Sequence, residues 1–297
     1  MAPARDHGLL APLAVVAGIL CIGFSAIFVR LAGLPGPVSA FYRVLIAALV
    51  VVPWRLARPA RLPAPEDLRV MVAGGIFFAI DIALWNTSLM LTSAATATLL
   101  ANNSPLWVGL ASFLLFRERL SWRYWVGLAL ALAGMMWLVG GDAFRHLSLS
   151  YGNLLAVGAS VFYAAYILAT QRARARVDLL TFMAVSTLSS VLLLLLLNLT
   201  LGSTLTGFPA RTWLALAGLG LISQLGGWLA INYALGHLRA AHVSVCLLAQ
   251  TVVTALLSMP ILGEYLKANQ VIGGLLVLAG IYSVTQSYVP AVAQVPE

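Results

Sequence analysis

Asp81 sits inside the run Phe77-Phe78-Ala79-Ile80-Asp81-Ile82, and no other acidic residue lies so deep in an apolar stretch. A charge at the centre of a bilayer costs about 2.5–3.5 kcal/mol on insertion scales, so it calls for a partner or a task. Two tasks suit a carboxyl there, contacting a substrate amine or carrying a proton. The alternative is a hydrogen-bonded or protonated acid that pins two helices. Trp85 and Ser88 follow four and seven positions later, on the same helical face. Together the three make one stripe of a candidate cavity wall.

A second polar group is Asn102-Asn103-Ser104-Pro105, halfway along another apolar run. Proline removes a backbone donor and kinks a helix, so freed carbonyls and two amides must face a cavity or a neighbour. Gln250, followed by Thr251, is at the same depth in a later run, and Gln224 lies in the run before that one. Tyr163 and Trp228 lie deeper than an interfacial belt would place them, and aromatic walls suit apolar or aromatic substrate side chains. The candidate substrate-binding set is therefore Asp81, Trp85, Ser88, Asn102, Asn103, Ser104, Tyr163, Gln224, Trp228 and Gln250. Asn86, Asn232, Arg43, Pro105 and Pro260 form a second set, for helix packing or gating. Asn86 and Asn232 divide evenly between interhelical glue and substrate contact. Arg43 could attract a carboxylate or phosphate or equally snorkel to the outer surface or cap carbonyls, and the structural role is the expected one.

Other chemistries find no support. No Gly-x-x-x-x-Gly-Lys-Ser/Thr run exists to cradle a phosphate, and no His-Glu-x-x-His or paired Cys-x-x-Cys to hold a metal. Cys21 and Cys246 both lie in apolar runs and read as packing residues. The histidines are expected near membrane surfaces or in tails, which leaves no deep Ser/His pair for intramembrane hydrolysis. No catalytic residue, metal or cofactor is expected.

The elements that carry these residues follow from composition. Of 297 residues, 62% are hydrophobic and 9% charged, too apolar for a soluble domain of this size. The runs 9–29, 37–54, 70–91, 94–116, 122–140, 151–170, 179–201, 211–236, 240–262 and 268–289 are each about the 20 residues a helix needs to cross a membrane. Continuous apolarity excludes a β-barrel, whose strands alternate. The first run is too long for a signal-peptide core and is read as a retained helix. Ten spans put both termini on one side. With that side cytoplasmic, twelve of the seventeen Arg and Lys residues fall there: Arg5, Arg55, Arg58, Arg61, Arg69, Arg117, Arg119, Arg123, Arg172, Arg174, Arg176 and Arg239. That bias obeys the positive-inside rule. The net charge of +8 thus reports topology rather than nucleic-acid binding.

The chain also repeats itself. Shifted by 146 residues, Asn86 falls on Asn232, Ala94-Ala95 on Ala240-Ala241, Ser104 on Gln250, Glu118 on Glu264, and Gly127 and Gly134 on Gly273 and Gly280. Residues 1–145 and 146–297 would each hold five spans. An odd number turns the second half upside down, the inverted-repeat plan of many secondary transporters. Glu118 and Glu264 are expected to pair locally with Arg117, Arg119 or Lys267.

Two groups of residues carry a resemblance. One is Phe28-Val29-Arg30-Leu31 with Pro37 and Phe41-Tyr42-Arg43; the other is Glu118-x-Leu120 and Glu264-x-Leu266 before the Gly-bearing fifth and tenth helices. With ten spans in about 300 residues, the chain resembles the drug/metabolite transporter superfamily, EamA branch, though Ile22-Gly23 replaces the Trp-Gly of many members. Within the branch it is similar to the YddG-type aromatic amino acid exporters. The resemblance implies an all-α fold of ten transmembrane helices in two inverted five-helix repeats, and efflux of small metabolites. The expected function is a multi-pass secondary transporter of a bacterial inner membrane, exporting amphipathic metabolites such as amino acids by alternating access. Its expected partners are a small-molecule substrate and the lipid bilayer, with no nucleic acid and no ATPase, as monomer or homodimer. An intramembrane lipid-modifying enzyme and a channel are the competing classes.

Overall fold

The computed structural model describes residues 7–59, 63–92, 94–115, 117–118, 120–139, 150–262 and 268–286. The described residues are helical with short connections. We number the rods in chain order. Rod α1 comprises His7–Gly23 and Ser25–Ala32; α2 is Gly36–Leu56; α3 is Pro65–Leu91; α4 comprises Ala94–Ala101 and Ser104–Leu114; α5 is Trp122–Val139. Then come α6, Tyr151–Arg174; α7, Leu179–Thr200; α8, Ala210–Leu235; α9, Ala240–Cys246 and Ala249–Leu262; and α10, Ala268–Gln286.

Eight of these rods, all but α4 and α5, are helices long and apolar enough to cross a membrane. The stretch of the expected span 94–116 is broken into two short helices, because the chain turns at Asn102-Asn103 and restarts with Pro105 in the first turn. Proline is tolerated there, where its missing N–H has no helical partner to lose. Rod α9 breaks at Leu247-Leu248, one position from the point equivalent to Asn102-Asn103 under the 146-residue shift, and has no proline there. Pro260 lies at the exposed far end of α9, so it does not make that break. A feature without a sequence signal is the π-helical stretch Leu219–Gly227 in the middle of α8. Such stretches recur at functional sites.

Glycine sets the closest helix contacts. A Cβ on Gly127 would lie 2.8 Å from the Gly280 carbonyl oxygen, and one on Gly134 would lie 2.8 Å from that of Gly273. Rods α5 and α10 therefore run antiparallel in near-backbone contact, and the two glycine pairs exchange under the 146-residue shift. Small residues let helix backbones approach where lipid offers no hydrophobic drive to association. Elsewhere Ser190 Oγ donates to the Gly75 carbonyl at 2.7 Å, tying α7 to α3.

Polar side chains supply the remaining joints. Asn86 Nδ2 donates to the Gly36 carbonyl (2.9 Å) and to Ser39 Oγ (3.3 Å), locking α3 on the start of α2. Asn232 Nδ2 reaches Tyr166 Oη (3.0 Å) and Met183 Sδ (2.8 Å), locking α8 on α6 and the start of α7. Both amides are buried away from the cavity described below. Each half thus uses its matched asparagine for a similar joint, third helix to second.

Candidate functional site

A cavity of about 450 Å³ lies between α1, α3, α4 and α9. Its inner part is lined by Arg43 of α2, Phe78 and Asp81 of α3, Tyr163 of α6 and Trp228 of α8; its rim reaches Arg30, Leu138, Ser258 and Gln270. Those four lie near the ends of α1, α5, α9 and α10 at one end of the bundle, so the cavity runs from mid-depth to that end.

The chemistry concentrates at the inner part. Arg43 is 5% exposed and Asp81 8% exposed, one cation and one acid bordering the same space. They act on each other through space, but no ion-pair contact joins them among the described residues. Arg43 Nε donates to Gln224 Oε1 (2.6 Å), one of its terminal nitrogens donates to Ser25 Oγ (3.2 Å), and its guanidinium carbon stands 5.7 Å from the Phe78 ring centre. Arg43 therefore does not snorkel. It is held inward by two polar partners and one ring, Gln224, Ser25 and Phe78. The aromatic wall is continuous: Trp228 meets Phe78 (5.1 Å), Tyr163 (5.8 Å) and Tyr166 (5.0 Å) edge to face. Across the cavity, Gln250 Nε2 donates to Asn102 Oδ1 at 2.9 Å and joins α9 to α4 at their two breaks.

Of the candidate substrate-binding residues, Asp81, Trp85, Asn102, Tyr163, Trp228 and Gln250 line the cavity. Four do not. Ser88 is fully buried and its hydroxyl donates to the Trp85 carbonyl; at that turn of α3 it is Leu89, one position on, that lines the cavity. Asn103 Nδ2 is spent on the Leu99 and Leu100 carbonyls beside the helix break. Ser104 is buried on the side of α4 that faces other helices. Gln224 anchors Arg43 from behind. Phe78, Ser25, Thr254 and Gln270 also line the cavity. Phe78 and Thr254 could have been read from the sequence, lying three positions before Asp81 and four after Gln250 on the same helical faces.

Outside the membrane-spanning helices, Glu118 feels Arg239; Arg119, one of its expected partners, lies outside the described residues. The Glu118 carboxyl is lifted above its ordinary range by burial, partly offset by Arg239 from the α8–α9 turn. Glu264 and Lys267 lie outside the described residues. Among the described residues no group of three His, Cys, Asp or Glu is placed to hold a metal ion.

The model of the EamA-like transporter family matches residues 9–140 and again residues 150–286. The chain belongs to the EamA-like transporter family. It is similar to the uncharacterized transporter YdfC of Bacillus subtilis, 22% identical over 89% of this chain and 86% of that protein. It is also similar to an uncharacterized transporter of Archaeoglobus fulgidus, 24% identical over 90% of this chain and 93% of that one. A protein crystal structure at 24% identity superposes with a TM-score of 0.79 over 93% of this chain and 96% of the other, which shows a shared fold. As a member of the EamA-like family with eight apolar helices of crossing length, the chain is a multi-pass membrane transporter rather than an enzyme.

Proposed function

We propose that this EamA-like transporter exports small amphipathic metabolites, amino acids including aromatic ones first among them, by alternating access about the cavity at Asp81 and Arg43. The observation that carries the reading is the composition of that cavity: one acid, Asp81, with Arg43 beside it at the inner part and Arg30 at the rim, and an aromatic wall around about 450 Å³, room and chemistry for an ammonium, a carboxylate and an apolar side chain. Similarity to the YddG-type aromatic exporters belongs to the same reading. Alternating access is supported by two features, the family match once in each half and the antiparallel, mutually exchanged glycine contacts of α5 and α10. Two inverted copies can form two near-equivalent states, one open to each side. In this reading the chain crosses ten times, with α4 and α5 as spans four and five, residues 1–145 and 146–297 as the two repeats, and both termini in the cytoplasm of a bacterium. It works as monomer or homodimer with no ATPase.

Uptake by proteoliposomes of a panel of amino acids and other metabolites, with and without a pH gradient, tests it. Transport of aromatic amino acids that Asp81→Asn and Trp228→Ala each abolish is the expected result. Unchanged uptake by both variants overturns the site, and no uptake of any amino acid overturns the substrate class.

A further inference from the structure

Five residues of α9 line the cavity: Gln250, Thr251, Thr254, Ala255 and Ser258. Moved back by 146 positions, they fall on Ser104, Pro105, Val108, Gly109 and Ser112 of α4. Those are the residues that the second part of α4 buries. The same stripe on matched helices is thus open to the cavity in one half and covered in the other. Tyr124 of α5, itself fully buried, covers that stripe at Pro105 and Gly109, beside α6 and the first part of α9, which also pack on this part of α4. Its hydroxyl lies 3.4 Å from the Pro105 carbonyl and 3.5 Å from the Ala241 carbonyl of α9, and a Cβ on Gly109 would come within 2.8 Å of it. The counterpart of Tyr124 under the shift is Gln270, which stands on the rim of the cavity. Ser112 Oγ is buried on the covered stripe with no hydrogen-bond partner, a cost that a folded protein rarely carries without reason. Beside the stripe, at the opposite end of the bundle from the cavity mouth, a second recess of about 490 Å³ is bordered by Glu66, Asp67, Glu118 and Arg176.

We infer that the covered face of α4 is the wall of the transport route in the state open to the other end, and that Tyr124 is the plug that must withdraw to expose it. The inference rests on the alternating-access reading. When inverted halves exchange conformations, the dry stripe of one becomes the wet stripe of the other. Ser112 then meets water or substrate, and the recess beside Glu118 becomes the mouth. Ser104 is in this view a route residue of the opposite state, which is why it lies outside the present cavity.

Thiol labelling tests the exchange. In full-length protein carrying Cys21→Ser and Cys246→Ser, Ser112→Cys and Ser258→Cys are introduced separately and reacted with a charged methanethiosulfonate in lipid nanodiscs. Ser258→Cys reacts fast and Ser112→Cys slowly. Adding Tyr124→Ala raises the Ser112→Cys rate about tenfold or more and lowers that of Ser258→Cys, as a shift between two states requires. Tyr124→Phe keeps the ring and loses only the hydroxyl, so it gives a smaller change in the same direction even where Tyr124→Ala fails to fold. A Ser112→Cys rate unchanged by Tyr124→Phe and by any folded Tyr124→Ala, with Ser258→Cys still reactive, overturns the inference. Proteoliposome uptake is a separate reading: transport with a silent Ser112→Cys removes the plug and leaves the transporter.

Discussion

Arg43 owes its place in part to a residue that does not line the cavity. Gln224 accepts its Nε at 2.6 Å, and the π-helical turn of α8 is what brings that amide round to α2. Leaving a buried donor unpaired costs about 1–3 kcal/mol, more for a charged group. Gln224→Leu should therefore weaken apparent substrate affinity by about tenfold or more in uptake assays, while Gln224→Glu, which keeps the acceptor, holds Arg43 in place. The asparagines behave differently. Asn86 joins α3 to α2 outside the cavity, so Asn86→Ala should lower unfolding stability in detergent by about 0.6–1.7 kcal/mol, the range of interhelical hydrogen bonds in membranes, with substrate affinity unchanged. The deep acid, the deep aromatics and the mid-helix amides were all legible in the sequence, because polar groups in an apolar run stand out whatever the fold. Which of them border open space was not. Ser88 and Trp85 share a face with Asp81, yet only Trp85 lines the cavity.

Helices in this molecule are placed by their ends and by their glycines. Asp178 caps α7, its carboxylate accepting the Thr181 N–H at 3.0 Å. Burial raises the Asp178 pKa, but the Thr181 hydrogen bonds and the nearby Arg55 and Arg174 outweigh it and hold the carboxyl below its ordinary range. A depressed carboxyl stabilises the fold above its unfolded pKa, near 4, and loses that contribution as pH falls through the lower folded value. Asp178→Ala should thus cost about 1 kcal/mol near neutral pH, and the melting temperatures of variant and parent should converge as the pH drops below about 4. At the α3–α7 crossing, a Cβ on Gly75 would strike the Ser186 carbonyl, whereas one on Gly158 meets only the tip of Leu84 at 3.4 Å. Gly75→Ala should impair folding and Gly158→Ala should not, read by yield of monodisperse protein. The breaks were half legible: Asn102 to Pro105 marks the one in α4, while α9 turns at Leu247-Leu248 on packing alone.

For the whole molecule, the proposed alternating access requires the cavity to open and close. Ala255 lines it without a large side chain, so Ala255→Trp should fill it and abolish uptake while leaving thermal stability near that of the parent. The direction of the bundle can be tested independently. The arginine distribution predicts both termini on the cytoplasmic side, and protease protection of tags at each end in oriented vesicles would read both protected or both cleaved together.

Apolar runs, the sidedness of the arginines and the 146-residue repeat belong to the chain itself. They are sums over local composition and survive any arrangement of the helices, so class, repeat and the shortlist of polar groups could be read before any coordinates. Wet and dry were decided by tertiary structure alone. Ser104 and Gln250 hold matched positions, but Tyr124 packs over the first helix face while its counterpart Gln270 stands at the open rim of the second. That asymmetry is a property of helix against helix, which no single run of residues contains.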